Sequence, residues 1–568
     1  MQRNSKPITW RPRGLSDGLD GSDVFQGAML SLQNLIPDPT TRGLWQCRPA
    51  SIKLIDMNSS GAGPFSSGFS PGFLHAGGLN RTFVSVFKII GNFLYAMIAS
   101  SKNPGHDEPI CVNLLTNTEV IVGGTITATT TPVSPPTTNA WTPPQMDSIG
   151  TKLMVAHSGF TGAGGNFVGW FDLTIPSAPV WNAGNLTGLV QFTVAPIAVK
   201  QFFNRAYYIH NAPGAPAVIF SDPLNATNTT NANQVLTFGD NAVLTALGAL
   251  PLSNQLGGIV QSIMVFKGVT NIYQITGDAA LTTTNPLSIN SLNVATGTLA
   301  PNSVTATPKG LTFMAPDGLR LIDFNANVSD PIGLDGSGVT VPFIFSSVPT
   351  RMVAACNGSL LRITTQNGNI ANAPTLEYWY DFGRQIWSGP HSFPASLIAA
   401  YNQTFIMTPT GIFASFWQSD TVQSLTSTFV ENGNQMTWTA QTSLLPDTEQ
   451  ITNNCMTEAT LDMSLPPTMA PVNVVSADQN GSSISQVAVS PLSVGGTTKW
   501  GSFTWGNAVW AGGVNAALTP YELQWTLPVT FSRMTLAANG NSALGFKLGA
   551  WHARYQILRT LTNVQAAA

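Results

Sequence analysis

Short runs of Val, Ile, Phe, Tyr and Thr, each closed within a few residues by Gly, Asn, Asp or Pro, recur along almost the whole chain. This punctuation restricts the fold more than any other feature. A helix needs ten or more residues with apolar side chains at a 3.6-residue spacing, and Gly and Pro interrupt it. Strands of four to eight residues joined by tight turns meet no such obstacle. With 52 glycines and 39 prolines spread over 568 residues, the predicted class is all-β.

From about residue 76 to 417 the punctuation takes a repeating form: strand, Gly or Asn turn, strand, then a Gly/Pro break. Arg81 to Ser100 turns at Gly91-Asn92, Met146 to Phe160 at Gly150, and Val199 to Phe220 at Asn204-Arg205. Gly257 to Gly277 turns at Gly268, and Asn302 to Phe324 at Lys309-Gly310 and Asp317-Gly318. Met352 to Thr365 turns at Asn357-Gly358, a pair suited to a hairpin whose central positions need φ > 0. Ser396 to Trp417 turns at Asn402-Gln403 and Thr410-Gly411. About seven hairpin-rich units of unequal length result. A small sheet cannot cover both of its own faces, whereas radial stacking covers each face with the next sheet, so an irregular β-propeller is expected over 76–417. A long array of β-sandwiches satisfies the same pattern.

From residue 418 the texture shifts to Ser, Thr, Asn and Gln with longer alternating strands, such as Gln435 to Thr442, Val472 to Ala477 and Ala543 to Arg559. A β-sandwich-like domain is expected over 418–568, part of it closing the last blade. Residues 1–75 are expected to be an N-terminal arm and docking segment. Arg3, Lys6, Arg11 and Arg13 form a basic cluster there, read as a solvated arm or as one that docks on a neighbouring subunit or touches DNA. Trp500, Trp505 and Trp510, spaced by five with glycines between them, fit either core packing or a subunit contact.

Only 9% of residues are charged, against roughly 25% in an average soluble domain. Such a surface carries little self-repulsion and tolerates burial against copies of itself. The net charge of −3 opposes a protein that grips nucleic acid through many phosphate contacts. The chain has no run of about 18 apolar residues, and its first residues lack the apolar stretch of a secretory signal, so folding in a cytoplasm without membrane insertion is expected. Cys47, Cys111, Cys356 and Cys455 show no C-x-x-C spacing, and reduced thiols are expected.

Three segments carry a family resemblance. Ser31 to Ser51 (SLQNLIPDPTTRGLWQCRPAS) leads from an aliphatic-x-Asn-x-x-Pro element to a Gly-Leu turn and an Arg-Pro step. Ile263 to Asp278 (IMVFKGVTNIYQITGD) and Pro301 to Asp323 (PNSVTATPKGLTFMAPDGLRLID), with Gly297 between them, supply a Phe-Lys strand pair, an Asn-Ser-Val strand and an Asp-Gly turn. In these features the chain resembles podovirus-type phage tail nozzle, hub or stopper proteins, including the packaged-DNA-stabilisation type. The likeness covers residues 25–51 and 256–335. It departs from the pattern at Ala50, where a Gly is usual, and in the very low charge. The resemblance implies a virion tail protein made in the host cytoplasm. Such a protein forms a homo-oligomeric ring around the DNA exit channel, beside tail adaptor and fibre proteins.

Motifs for chemistry are sparse. The chain has no G-x-x-x-x-G-K-[ST] loop, and His75, His106, His157, His210, His391 and His552 form no H-x-x-x-H pair. No cofactor or metal is therefore expected. A glycosidase would need paired carboxylates at the propeller centre, for which Asp317, Asp323, Asp330, Asp335, Glu377 and Asp381 are the candidates. Asp317 and Asp335 precede Gly and suit turns. Glu377 to Trp387 (EYWYDFGRQIW) reads either as a stacking platform or as a hairpin turning at Phe382-Gly383. The expectation is a non-enzymatic tail nozzle or hub subunit. The alternatives are a receptor- or glycan-binding propeller at the tail tip, and a glycosidase.

Overall fold

The computed structural model describes residues 6–16, 27–57, 81–100, 105–134, 142–253, 259–277, 287–333, 338–339, 343, 348–366, 375–409, 415–420, 429–445, 452–465, 471–478, 483–489, 519–531, 533–542 and 545–560. The chain is all-β. Among the described residues between 81 and 420, seven antiparallel blades follow in sequence order, 81–120, 145–184, 198–237, 246–291, 305–323, 353–391 and 395–420, with Gly123–Gly124 added parallel at the edge of the second and a short parallel pair, Thr187–Gly188 with Asn228–Thr229, beside them. In every blade the first strand lies at one edge. These seven edge strands are Arg81–Ile90, Gln145–Ile149, Ala198–Phe202, Ala246–Ser253, Thr305–Thr307, Val353–Asn357 and Ala395–Tyr401. Each lies beside the next, and Ala395–Tyr401 lies beside Arg81–Ile90, so the ring closes as a seven-bladed propeller. The seven units read from the turns coincide with the seven blades.

Stacking between blades supplies the propeller core. Tyr95 of blade one meets Phe171 and Trp181 of blade two, with the Phe171–Trp181 centroids 5.2 Å apart in an edge-on arrangement. Tyr207 and Phe220 of blade three pack with Ile263 and Val265 of blade four. Phe266 of blade four lies 5.0 Å from Phe313 of blade five. Most of each blade face meets another blade rather than water, so successive residues are buried on both sides of a strand, as in Arg205–Ala212, where the first six are buried.

The ends of the chain differ from expectation. Closure of blade seven comes from the N-terminal side, not from the C-terminal domain: Ile52–Asp56 pairs with Ser415–Asp420 as the outermost strand. Ile55 there is buried with Phe416 and with Phe87 of blade one. The arm reading is also corrected over residues 6–16. Lys6–Trp10 pairs antiparallel with Lys547–Thr560, in the register Trp10↔Trp551. The reason is burial: Trp10 is 1% exposed and its indole N–H donates to the Ala28 carbonyl.

The described residues between 6 and 47 and between 429 and 560 therefore build one two-layer module. One sheet holds Lys6–Trp10, Leu35–Pro37, Trp45–Cys47, Lys547–Thr560, Thr452–Leu465 and Thr519–Phe531. The other holds Ala28–Gln33, Asn434–Thr442, Met534–Ser542, Val472–Asp478 and Ser483–Val489. Their inner faces share a core that includes Trp10, Trp45, Trp438, Leu461, Leu536 and Trp551. The second sheet continues into the propeller, because Leu32 pairs with Gly389 in the last strand of blade six, Ile386–His391.

Candidate functional site

The most elaborate polar arrangement lies where module and propeller join. Asn34 turns the chain between Ala28–Gln33 and Leu35–Pro37 at φ 56°, a conformation that Asn tolerates better than most residues. Its carboxamide accepts from Arg48 Nε at 2.9 Å and from the Ser392 amide at 2.9 Å, and donates to the Thr437 carbonyl at 2.6 Å. Arg48 also donates to the Pro49 and Ser392 carbonyls and grips Glu431 with both terminal nitrogens, at 2.7 and 3.1 Å. The second Glu431 oxygen accepts from the Ser51 amide at 2.9 Å. The side chains of Arg48 and Glu431 are 3% and 7% exposed. Burial pulls the Arg48 guanidinium down, but Glu431 outweighs it and keeps the charge in place. A buried ion pair persists only when its remaining donors are satisfied, and here they are.

A second buried pair lies beside it in blade six. Glu377 accepts from Arg362 Nε at 2.5 Å, from the Trp379 indole at 2.6 Å and from the Ala395 amide at 3.0 Å. The Arg362 guanidinium stacks on Trp379 and on Phe405 of blade seven. His391, against Trp379 at 4.7 Å, shares a hydrogen bond with Ser388. Burial, then Arg48 and Arg362, depress its imidazole well below the ordinary range. Tyr378, Trp379, Tyr380 and Trp387 are all buried. The segment 377–387 is therefore a packed hairpin and offers no stacking platform.

On the inner strands, Asp147 of blade two lies between Lys88 of blade one at 3.3 Å and Lys200 of blade three at 3.7 Å. It also accepts from the Gln201 amide at 2.8 Å. Burial would raise the Asp147 carboxyl, but Lys200, Lys88 and the amides of Gln201 and Ser148 outweigh it and hold it below its ordinary 3.8. One carboxylate thus ties three consecutive blades.

Four of the six carboxylates considered for glycoside cleavage are committed elsewhere, and Asp330 stands exposed on the surface. Asp317 forms a two-pronged pair with Arg320, Asp323 caps the turn at Asn325 and Asn327, and Asp381 caps Gly383 and pairs with Arg384. Glu377 is sealed under Arg362 and Trp379, and Asp335 lies outside the described residues. Among the described residues no three His, Cys, Asp or Glu side chains stand close enough to hold a metal ion. The four cysteines are free thiols; burial pushes Cys47 and Cys111 up to about 12 and Cys356 to about 11, far from a reactive thiolate.

Of the contact residues read from sequence, Arg3, Trp500, Trp505 and Trp510 lie outside the described residues. Lys6 belongs to the strand beside Lys547–Thr560, and Arg11 and Arg13 follow it exposed, the Arg13 amide donating to the Gly27 carbonyl. Two polar features went unread. Thr9, His552 and Asp462 form a hydrogen-bonded row at 3.1 and 3.0 Å across three neighbouring strands. A groove of about 520 Å³ lies on the outer face of the second module sheet. Its lining joins Thr437, Thr439, Asn473, Asn539 and Asn541, over the Gly540 backbone, to the apolar Trp438, Pro471 and Ala488. The alternation in NQMTWTAQT puts Thr437 and Thr439 opposite the buried Met436 and Trp438, but only strand register brings the asparagines beside them.

No protein-family model matches this chain, and no curated protein sequence matches it. Among solved structures it is similar to a puromycin hydrolase (9% identity, TM-score 0.34, covering 64% of this chain and 58% of that one). It is also similar to the β-propeller domain of Cps50 (Swd1) from Myceliophteria thermophila (12%, 0.32, 60% and 99%). A third is the exo-β-1,3-galactanase of Phanerochaete chrysosporium (9%, 0.23, 72% and 95%). The chain spans a little over half the length of the puromycin hydrolase. The expectation of a non-enzyme is withdrawn in view of these neighbours, since the galactanase and the puromycin hydrolase are enzymes. At TM-scores below 0.5 the likeness assigns this chain no activity of its own.

Proposed function

We propose that this chain is a subunit of a phage tail nozzle or hub, one copy of a homo-oligomeric ring around the DNA exit channel. In this reading it is made in the host cytoplasm, assembles into the virion tail beside adaptor and fibre proteins, and helps retain and guide packaged DNA. One observation carries the reading. The opening pattern through which the sequence resembles that family, Asn34 with Arg48-Pro49, supplies the buried clasp between propeller and module. The second resembling segment is likewise spent on architecture. Lys267 is buried on the Phe238 carbonyl and Asp240, and Gly297 sits so close to the Gly268 carbonyl that a Cβ would lie 2.3 Å from it. A rigid two-part body with few surface charges suits a ring wall that passes DNA without gripping it. Electron microscopy of the purified protein tests the proposal: rings of fixed symmetry are expected, and a monomer at micromolar concentration overturns it.

A second reading, a propeller at the tail tip that binds or cleaves a host surface glycan, is favoured by the uncharged groove on the module. Retention on host envelope polysaccharide, with or without turnover and without ring formation, would select it.

A further inference from the structure

We infer that the groove on the outer face of the module is a binding site for a neutral oligosaccharide. The inference gives the second reading above a site and a ligand class, and it rests on that reading. Thr439, Asn539 and Asn473 form a row across three adjacent strands, because Asn539 is opposite Thr439 on one side and Asn473 on the other. Thr437 opposite Asn541 makes a second, parallel row. Neighbouring strands are about 4.8 Å apart, so the first row presents polar groups over roughly 10 Å.

The lining chemistry selects the ligand. Each carboxamide offers two N–H donors and an accepting oxygen, and each threonine hydroxyl both donates and accepts. A sugar hydroxyl, donor and acceptor at once, uses both halves of that pairing, whereas phosphate, sulfate or carboxylate only accepts and is typically held by cations or converging backbone N–H groups. No Lys, Arg, His, Asp or Glu lines the groove among its described residues. Binding an anion there would strip its hydration without a countercharge, a cost that a neutral polyol does not incur. Among the described residues the lining side chains have no strong partners of their own: Asn473 Nδ2 reaches Asn539 Oδ1 only at 3.5 Å.

The surface is held in shape before any ligand arrives. Below it, Met436, Trp438 and Ala440 are buried in the module core. Gly540 lies opposite Trp438, and a Cβ there would come within 3.3 Å of the indole. From the side, Asn34 binds the Thr437 carbonyl, coupling the groove strand to the clasp. Such preorganisation lowers the entropic cost of holding a flexible sugar.

The test is calorimetric titration of the full chain with neutral hexasaccharides of glucose, galactose and mannose, beside a sulfated oligosaccharide of equal length. Binding of at least one neutral sugar, with no binding of the sulfated one, is expected. Asn539→Ala and the shape-conserving Thr439→Val should each weaken it about tenfold, and together abolish it, at an unchanged melting temperature. Asn182→Ala on blade two should leave it untouched. If a neutral sugar binds and the Asn539→Ala/Thr439→Val chain still holds it, the groove is wrong while the glycan reading survives. If no neutral sugar binds, or the sulfated one binds more tightly, the inference falls.

Discussion

Arg48 and Glu431 stand 383 positions apart and meet in a two-pronged ion pair almost sealed from solvent. The pair also touches Ser392 at the end of blade six, so one contact fastens the N-terminal segment, the propeller and the C-terminal module. Removing one partner strands a buried charge, which typically costs about 3–5 kcal/mol. Glu431→Ala should therefore lower the denaturation free energy by that amount. A double Arg48→Met/Glu431→Leu chain should lose less than the Glu431→Ala chain, and urea titrations of the two variants beside the unaltered protein check this.

A pH dependence follows from His391. Its imidazole is depressed well below 6.5 by burial and by Arg48 and Arg362, and His210 is lowered by burial. Below about pH 6.5 the unfolded chain binds protons that these folded sites refuse. Stability is therefore complete above that pH and falls as the pH drops through it. The denaturation midpoint should decline from pH 7.5 to 5.5, and less steeply in a His391→Gln chain.

Ring closure depends on the strand that comes from before the propeller. Ile55→Ala removes a side chain that is 1% exposed, between blades seven and one. The expected loss is about 2–5 kcal/mol. Ile52→Ala, on the same strand but 52% exposed, should stay within about 0.5 kcal/mol. Chemical denaturation compares the two.

Two turn glycines separate backbone conformation from crowding. Gly91 has φ 59° and open space where a Cβ would stand, so Gly91→Ala should cost about 1–2 kcal/mol. Gly310 has φ 141°, and a Cβ would lie 2.0 Å from the Ile322 carbonyl oxygen. Gly310→Ala should cost more than about 3 kcal/mol, visible as loss of soluble protein or a sharply lowered melting temperature.

How far the sequence could be read differs from place to place. The Gly91 and Gly268 turns and the seven-unit rhythm followed from local steric rules, which act over three or four residues. Asn357-Gly358 illustrates the limit. Gly358 does take φ 58°, but Asn357 ends its strand and spends its carboxamide on the Asn402 and Thr404 carbonyls of blade seven. Glu377 reads as an available carboxylate until Arg362, Trp379 and Ala395 close around it. The groove asparagines carry no local signal, because their grouping depends on which strands pair and in what register.

The sequence by itself determined the strands and most of the turns, since these follow from alternation and φ preference. Only the tertiary structure decided that the hairpin units stack radially as blades, that Ile52–Asp56 closes the ring and that the described strands between residues 6 and 47 belong to the C-terminal module. It also decided that Asn34, Arg48 and Glu431 form a clasp. Those outcomes depend on partners hundreds of residues away, where burial free energy rather than local conformational preference selects the pairing.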